Sequence, residues 1–314
     1  MAAAVLLEGL SKTYVSGPPW KRKRVAALKP VDLEVPEGGV FGLLGLNGAG
    51  KTTTVKLVLG LLKPTTGSAC VLGGSVGDRN VRRRIGYLPE LPYFSRQLTA
   101  WETLRYFGSL YGLSGVALDR RVDEVLELVR LGSASRRRVA EYSKGMQQRL
   151  GIGQALIGSP SLFLCDEPMS GLDPVGIKEM RDIFLDLKRT GTTVLMNTHI
   201  LDEVERICDR VAVLHEGRLV AHVPVAEVLA ARDRVPYVLE VPEGALPAGK
   251  EADGPGFRRE GRDLVTTGAE LPEALAALSR IGVKPSSVRP LSSAVESWFL
   301  GVIGGASSTG GGTP

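Results

Sequence analysis

Eight residues, Gly45-Leu46-Asn47-Gly48-Ala49-Gly50-Lys51-Thr52, constrain this chain more than any others. They meet the pattern G-x-x-x-x-G-K-[ST] at every fixed position. Val40-Phe41-Gly42-Leu43-Leu44 before them reads as a strand buried on both faces, and Thr53 to Leu62 after them reads as a helix that stops at Pro64. A strand, a glycine turn and a helix N-terminus together make an anion cradle. Glycines let the backbone turn its N–H groups inward, and the helix dipole adds positive potential. Gly45, Asn47, Gly48, Ala49, Gly50, Lys51, Thr52 and Thr53 are the candidate contacts to a nucleoside triphosphate. Lys51 is placed to reach the β- and γ-phosphates, and the Thr52 hydroxyl to ligate Mg²⁺. A glycine turn that merely precedes a lysine would lack the flanking strand and helix.

Hydrolysis also needs a metal-holding carboxylate and a base. Leu162-Phe163-Leu164-Cys165-Asp166-Glu167-Pro168 ends an apolar strand in two acids, at the sheet edge where α/β folds place their sites. Asp166 is placed to hold Mg²⁺ through water, and Glu167 to polarise the attacking water. Two acids at a strand end also suit a helix N-cap, but the phosphate loop favours the catalytic reading. Leu195-Met196-Asn197-Thr198-His199 ends a second apolar strand, which puts His199 within reach of a γ-phosphate. Taken alone, a structural histidine is the commoner outcome there.

The rest of the chain fits around these strands. Val5 to Leu10 and Leu28 to Val35 alternate as strands of an antiparallel edge sheet, joined by the turn-rich basic loop Ser16 to Arg24. Ser68 to Leu72 reads as a short strand. Thr99 to Ser159 reads as helical, opened by the capping-box pair Thr99 and Glu102. Strands at Ser161–Cys165, Thr193–Asn197 and Arg210–Leu214 alternate with helices at Val175–Arg189 and Leu201–Ile207, which implies a mainly parallel sheet. Glu216-Gly217 reads as a hairpin turn into Arg218–Val223. Composition shifts near Arg232, and Asp263–Thr267, Leu271–Ile281, Ser287–Pro290 and Leu291–Leu300 suggest a strand, helix, strand and amphipathic helix. Gly304 to Pro314 is Gly/Ser/Thr-rich and is expected to be an unstructured tail.

Bulk properties exclude several classes. Hydrophobic content of 43% and charged content of 23% over 314 residues allow an ordinary core. No apolar run approaches the roughly 18 residues of a membrane span. The first residues lack the basic start and long apolar core of a signal peptide. Cys70, Cys165 and Cys208 fit neither a disulfide framework nor metal-ligand spacing, and reduced cytosolic thiols are expected. A net charge of +5, dispersed along the chain, is too small for a strong nucleic-acid footprint.

The order of these motifs resembles the nucleotide-binding subunit of an ATP-binding cassette (ABC) transporter over roughly Val5 to Val223. Tyr142-Ser143-Lys144-Gly145-Met146-Gln147-Gln148-Arg149 is similar to the family's signature segment between its two Walker motifs. The commonest form is L-S-G-G-Q. Ser143 and Gly145 are kept, while Tyr142, Lys144 and Met146 depart, in the manner of exporters whose ATPase and permease are separate chains. Ser143 also suits a plain helix N-cap. Tyr14 resembles the adenine-stacking aromatic, Ser170-Gly171-Leu172-Asp173-Pro174 the D-loop, and His199 the switch histidine. Arg84 to Glu90 resembles the Q-loop, with Glu90 where glutamine is usual and placed to ligate Mg²⁺ or water.

The resemblance implies an α/β P-loop NTPase with a mainly parallel sheet, an antiparallel edge sheet and a helical subdomain. The ATP-binding domain is expected over residues 1–232, with the helical part at 91–159, a small α+β appendage at 233–303 and the tail at 304–314. It implies an ATPase with ATP and Mg²⁺ that powers a separate transmembrane permease. It also implies a second ATP-binding subunit, as a homodimer, and a peripheral place on the cytoplasmic face of the membrane. Ser143 and Gly145 would close over ATP held by the partner's phosphate loop. Basic runs at Lys21–Arg24, Arg82–Arg84 and Arg136–Arg138 suit either an anionic leaflet or plain solvated faces. The other readings are an ABC ATPase acting on ribosomes or nucleic acid, and a silent ATP-binding regulator. Export is the expected direction, with import as the alternative.

Overall fold

Residues 2–18, 20–231, 235–242, 256–260 and 263–309 are described by a computed structural model. The chain divides into two compact units, Met1–Glu203 with Ile207–His222, and Val204–Arg206 with Val223–Pro314. The expected boundary near 232 falls on residues outside those described.

In the first unit β1 (Ala3–Ser16) and β2 (Lys23–Pro36) pair antiparallel, with Val5 opposite Val35 and Leu7 opposite Leu33. Val5, Leu7, Leu10, Leu28, Val31 and Val35 are each at most 2% exposed, which is the apolar alternation made physical. β3 (Val40–Leu44) then runs into the phosphate loop and α1 (Lys51–Val58). β4 (Thr66–Val71) pairs antiparallel with β1, and β5 (Gly74–Ser75) with β4. Then come α2 (Arg79–Arg83) and β6 (Ile85–Leu88).

α3 (Ala100–Leu110), α4 (Gly115–Leu128) and α5 (Lys144–Leu156) form the helical segment, with 3₁₀ turns at Gly132–Ala134 and Val139–Glu141. The Thr99–Glu102 capping box is complete: the Glu102 amide donates to the Thr99 hydroxyl at 3.1 Å, and the Thr99 amide donates to the Glu102 carboxylate at 2.8 Å. The chain continues through β7 (Leu162–Asp166), α6 (Pro174–Arg189), β8 (Thr193–Asn197), α7 (Leu201–Ile207), β9 (Arg210–His215) and β10 (Arg218–Pro224).

The large sheet has the order β10-β9-β3-β8-β7-β6, and β9, β3, β8, β7 and β6 are parallel neighbours. All five residues of β3, of β7 and of β8 are buried, so continuous apolar runs were the correct sign of central parallel strands. Both residues of the β9–β10 turn have positive φ, 46° at Glu216 and 74° at Gly217, as a two-residue hairpin requires.

The second unit holds α8 (Val225–Ala230), β11 (Pro236–Glu240), β12 (Arg258–Glu260), β13 (Asp263–Thr267), α9 (Leu271–Arg280), β14 (Ser287–Pro290) and α10 (Ala294–Thr309). Its antiparallel sheet has the order β12-β13-β11-β14. Leu239, Leu264, Ala274 and Leu278, each fully buried, lead its core. α10 corrects the expected tail: the helix continues through Gly304 and Gly305 to Thr309, and residues 310–314 lie outside the described ones. Pro236 at the head of β11 and the punctuated segment after it hid two strands from sequence reading.

Candidate functional site

The ends of three buried strands, β3, β7 and β8, converge on one cluster. β3 delivers the loop Gly45–Gly50. Gly50 caps α1 with φ 107° and no side-chain cap, and a Cβ there would stand 2.7 Å from the Ala27 carbonyl oxygen on β2. Only glycine suits both that backbone and that approach. The α1 first turn contains no acid, so its N–H groups and dipole remain available to an anion. Gly45, Asn47, Gly48 and Ala49 line the same loop, with the Ala49 amide donating to the Leu46 carbonyl at 3.1 Å. Thr53 lies in the α1 first turn.

Lys51 is 6% exposed. Its ammonium donates to the Gly45 carbonyl at 2.5 Å and the Leu46 carbonyl at 3.4 Å, and lies 3.8 Å from the Glu167 carboxylate. A cation folded onto its own loop by carbonyls is poised to trade them for phosphate oxygens. The Thr52 hydroxyl sits 3.5 Å from Asp166 Oδ1. Asp166, 5% exposed at the end of β7, also accepts from Asn197 Nδ2 at 3.0 Å. These side-by-side hard oxygen donors fit Mg²⁺, which takes one or two protein ligands and completes its shell with phosphates and water.

Glu167 has φ 49°, a costly backbone for a residue with a side chain. Its amide donates to the Asn197 carbonyl at 3.0 Å, which ties β7's end to β8's. Its other carboxylate oxygen lies 2.7 Å from His199 Nδ1. With Glu167 ionised, that nitrogen must carry the proton. Asn197 is the member that sequence reading passed over: its amide orients Asp166, its carbonyl anchors the Glu167 backbone, and a polar residue closing an apolar strand was the one local sign of it. The Tyr87 phenol on β6 is pushed up to about 12, by burial first and then by the negative charge of Asp166.

The other expected residues lie on other elements. Tyr14 on β1 is 39% exposed, pairs with Val25 two residues from Ala27, and has the Lys12 ammonium 5.5 Å from its ring centre. Ser143 caps α5, accepting from the Met146 amide at 3.2 Å. Gly145 lies in the α5 first turn, which contains no acid. The departures from L-S-G-G-Q have local reasons. The Tyr142 hydroxyl donates to the Ala134 carbonyl at 2.8 Å, and the Lys144 ammonium fills the space a side chain at Gly171 would need.

α5 packs on β6, α3 and α4, whereas α1 packs on β2, β4 and β7. The acid-free N-termini of α1 and α5 therefore stand in separate packing environments. Glu90 is not drawn into the Thr52–Asp166 pair. Its side chain is exposed, and its backbone carbonyl accepts from Gln148 Nε2 of α5 at 2.9 Å. Cys165 and Cys208 are buried free thiols, both pushed up mainly by burial, which makes them inert.

Comparison with known proteins gives the family. Residues 28–170 match the family model described as ABC transporter. An uncharacterised ABC transporter ATP-binding protein of Nostoc sp. is 45% identical over 233 residues, 74% of this chain and 69% of that one. The ABC transporter ATP-binding protein YdbJ of Bacillus subtilis is 36% identical over 96% of both chains. The Nod factor export ATP-binding protein I of Cupriavidus pinatubonensis is 40% identical over 61% of this chain and 59% of that one. An ATP-binding cassette solved as a dimer in a post-hydrolysis state with ADP and Pi superposes with a TM-score of 0.63 at 26% identity, covering 70% of this chain and 98% of that one. The chain belongs to the ABC transporter family, as an ATP-binding, ATP-hydrolysing subunit.

Proposed function

We propose that Mg²⁺-ATP sits on the α1 N-terminus, and that its hydrolysis separates two copies of this chain that drive a separate permease. The observation that carries this reading is the Glu167 carboxylate held between Lys51 at 3.8 Å and His199 at 2.7 Å. Lys51 exchanges the Gly45 and Leu46 carbonyls for phosphate oxygens. One Glu167 oxygen orients the attacking water as general base, while His199 fixes the other. Thr52 and, through water, Asp166 would hold Mg²⁺, which would supply charge neutralisation to the bound triphosphate. Glu90 approaches that shell only after its segment moves. Tyr14 stacks on adenine.

One chain supplies one phosphate loop and one signature segment, in separate packing environments. A head-to-tail C2 pair brings Ser143 and Gly145 of one copy over the ATP of the other, so that both acid-free helix ends face the same γ-phosphate. The dimeric state of the similar cassette supports this arrangement. In this reading the spanning part is a separate polypeptide and this subunit docks on it at the cytoplasmic face; the described residues contain no helix long and apolar enough to cross a membrane. Likeness to a Nod factor export protein favours export.

The test is Glu167→Gln, which keeps shape and removes the base. With saturating Mg-ATP it is expected to run on a sizing column as a pair that retains ATP. A variant that stays monomeric both alone and with its membrane partner contradicts the paired mechanism.

A further inference from the structure

Two arginines of the helical segment grip a single acidic face of α6. Arg149, on the signature helix α5 and 8% exposed, donates from Nη1 to the Arg130 carbonyl at 2.8 Å, and its Nη2 lies 3.3 Å from Glu179. Arg130, just past the end of α4, places Nη1 2.8 Å from Asp182 and Nη2 3.7 Å from Asp186. Glu179, Asp182 and Asp186 are spaced i, i+3, i+7 and share one side of α6. The hydrogen bond from Arg130 is the first cause holding the Asp182 carboxyl below its ordinary range. Arg130 is thus used twice, through its carbonyl by α5 and through its guanidinium by α6.

Both ends of this linkage lead to the site. α5 opens at Ser143. α6 opens at Asp173, the last residue before Pro174 in the segment Ser170–Pro174, and Asp173 caps it by accepting from the Gly176 amide at 2.8 Å. On its far side Arg181 of α6 makes a bidentate pair with Glu203 of α7, at 2.7 and 2.6 Å, four residues beyond His199. Arg130 also holds φ 58°, a backbone that disfavours any residue with a side chain. That positive φ belongs to the left-handed residue that closes α4, with the Arg130 amide donating to the Glu127 carbonyl at 3.0 Å and the Leu131 amide to the Leu126 carbonyl at 2.8 Å.

We infer that Arg130 is a positioning residue, which holds the signature helix α5 against α6 and so sets where Ser143 stands relative to the Ser170–Pro174 segment. The inference rests on the assignment of the signature segment and is separable from it by experiment. The clamp does not touch nucleotide, so its loss is expected in turnover and not in ATP affinity.

Arg130→Gly keeps the carbonyl that Arg149 needs, relieves the positive φ and removes the guanidinium. In the full-length chain this variant is expected to hold or raise the melting temperature. Its kcat for ATP is expected to fall about 5- to 10-fold with KM within twofold, the range of a modest coupling between sites. Asp182→Asn, which alters only the acceptor, is expected to lower kcat in the same direction. The double variant is expected to be no slower than Arg130→Gly alone, because both changes break one linkage. Unchanged kcat in both single variants overturns the clamp. So does a kcat loss that tracks a fall in melting temperature, or a double variant whose losses multiply. Absence of ATPase in the wild-type chain, by contrast, overturns the functional reading beneath it.

Discussion

α1 and α3 begin in opposite ways. α3 starts under a complete capping box, with the Thr99 hydroxyl and the Glu102 carboxylate satisfying the free amides of its first turn. α1 starts at Gly50 with no side-chain cap and no acid in its first turn. Left to stability alone, α1 would gain from the same treatment as α3, since a carboxylate at a helix N-terminus contributes about 0.3–1 kcal/mol. A helix end that carries its own anion cannot accept another. α4 also begins without a side-chain cap or an acid, so what marks the α1 terminus for a ligand is the glycine loop ahead of it, with Lys51 folded onto that loop and Thr52 beside Asp166, while the α3 terminus serves the fold. α5 stands between them, capped by the Ser143 hydroxyl but free of acid.

That contrast can be broken deliberately. Thr53→Glu puts into α1 the carboxylate that α3 has at its third position. It is expected to weaken ATP binding by more than about 100-fold, or roughly 3 kcal/mol, with the melting temperature kept or raised. Calorimetric titration beside a thermal melt reads both, and undiminished binding breaks the comparison. His199→Ala leaves the α1 cradle whole and removes the partner of Glu167. It is expected to lower kcat by about 10²-fold, with ATP affinity within a few-fold in the same titration.

The smallest effect belongs to α3. Thr99→Ala is expected to cost about 1 kcal/mol of stability with ATPase rate unchanged, as measured by denaturant unfolding and a coupled assay. The cap also carries a pH signature. Hydrogen bonds from Thr99 hold the Glu102 carboxyl below its ordinary value, so its contribution is present above that value and lost as pH falls through the depressed one. Glu102→Gln is expected to flatten that acid limb of the stability profile, leaving activity at neutral pH intact.

Local chemistry explains what the sequence made legible. The phosphate loop, the all-buried strands β3, β7 and β8, the Thr99–Glu102 pair and the Glu216-Gly217 turn are each written in a few consecutive residues. What stayed hidden is non-local. Asn197 matters because β8 lies beside β7, and Arg130 because α6 passes 52 residues later in the chain. The departures at Tyr142 and Lys144 make sense only once Ala134 and Gly171 are seen next to them. Gly304 and Gly305 suggested a tail, yet α10 runs through both, because glycine content is only a weak prior against helix. Glu90 was expected at the metal, but its carboxylate faces solvent and its carbonyl is held by Gln148.

The α1 N-terminus, with Lys51, holds the triphosphate in this mechanism. Equilibrium binding of Mg-ATP to Lys51→Ala, compared with the wild-type full-length chain at matched thermal stability, tests it most directly. The variant is expected to lose at least about 100-fold in affinity, the scale of removing a buried charged partner of a phosphate. Equal affinity of variant and wild type would contradict it.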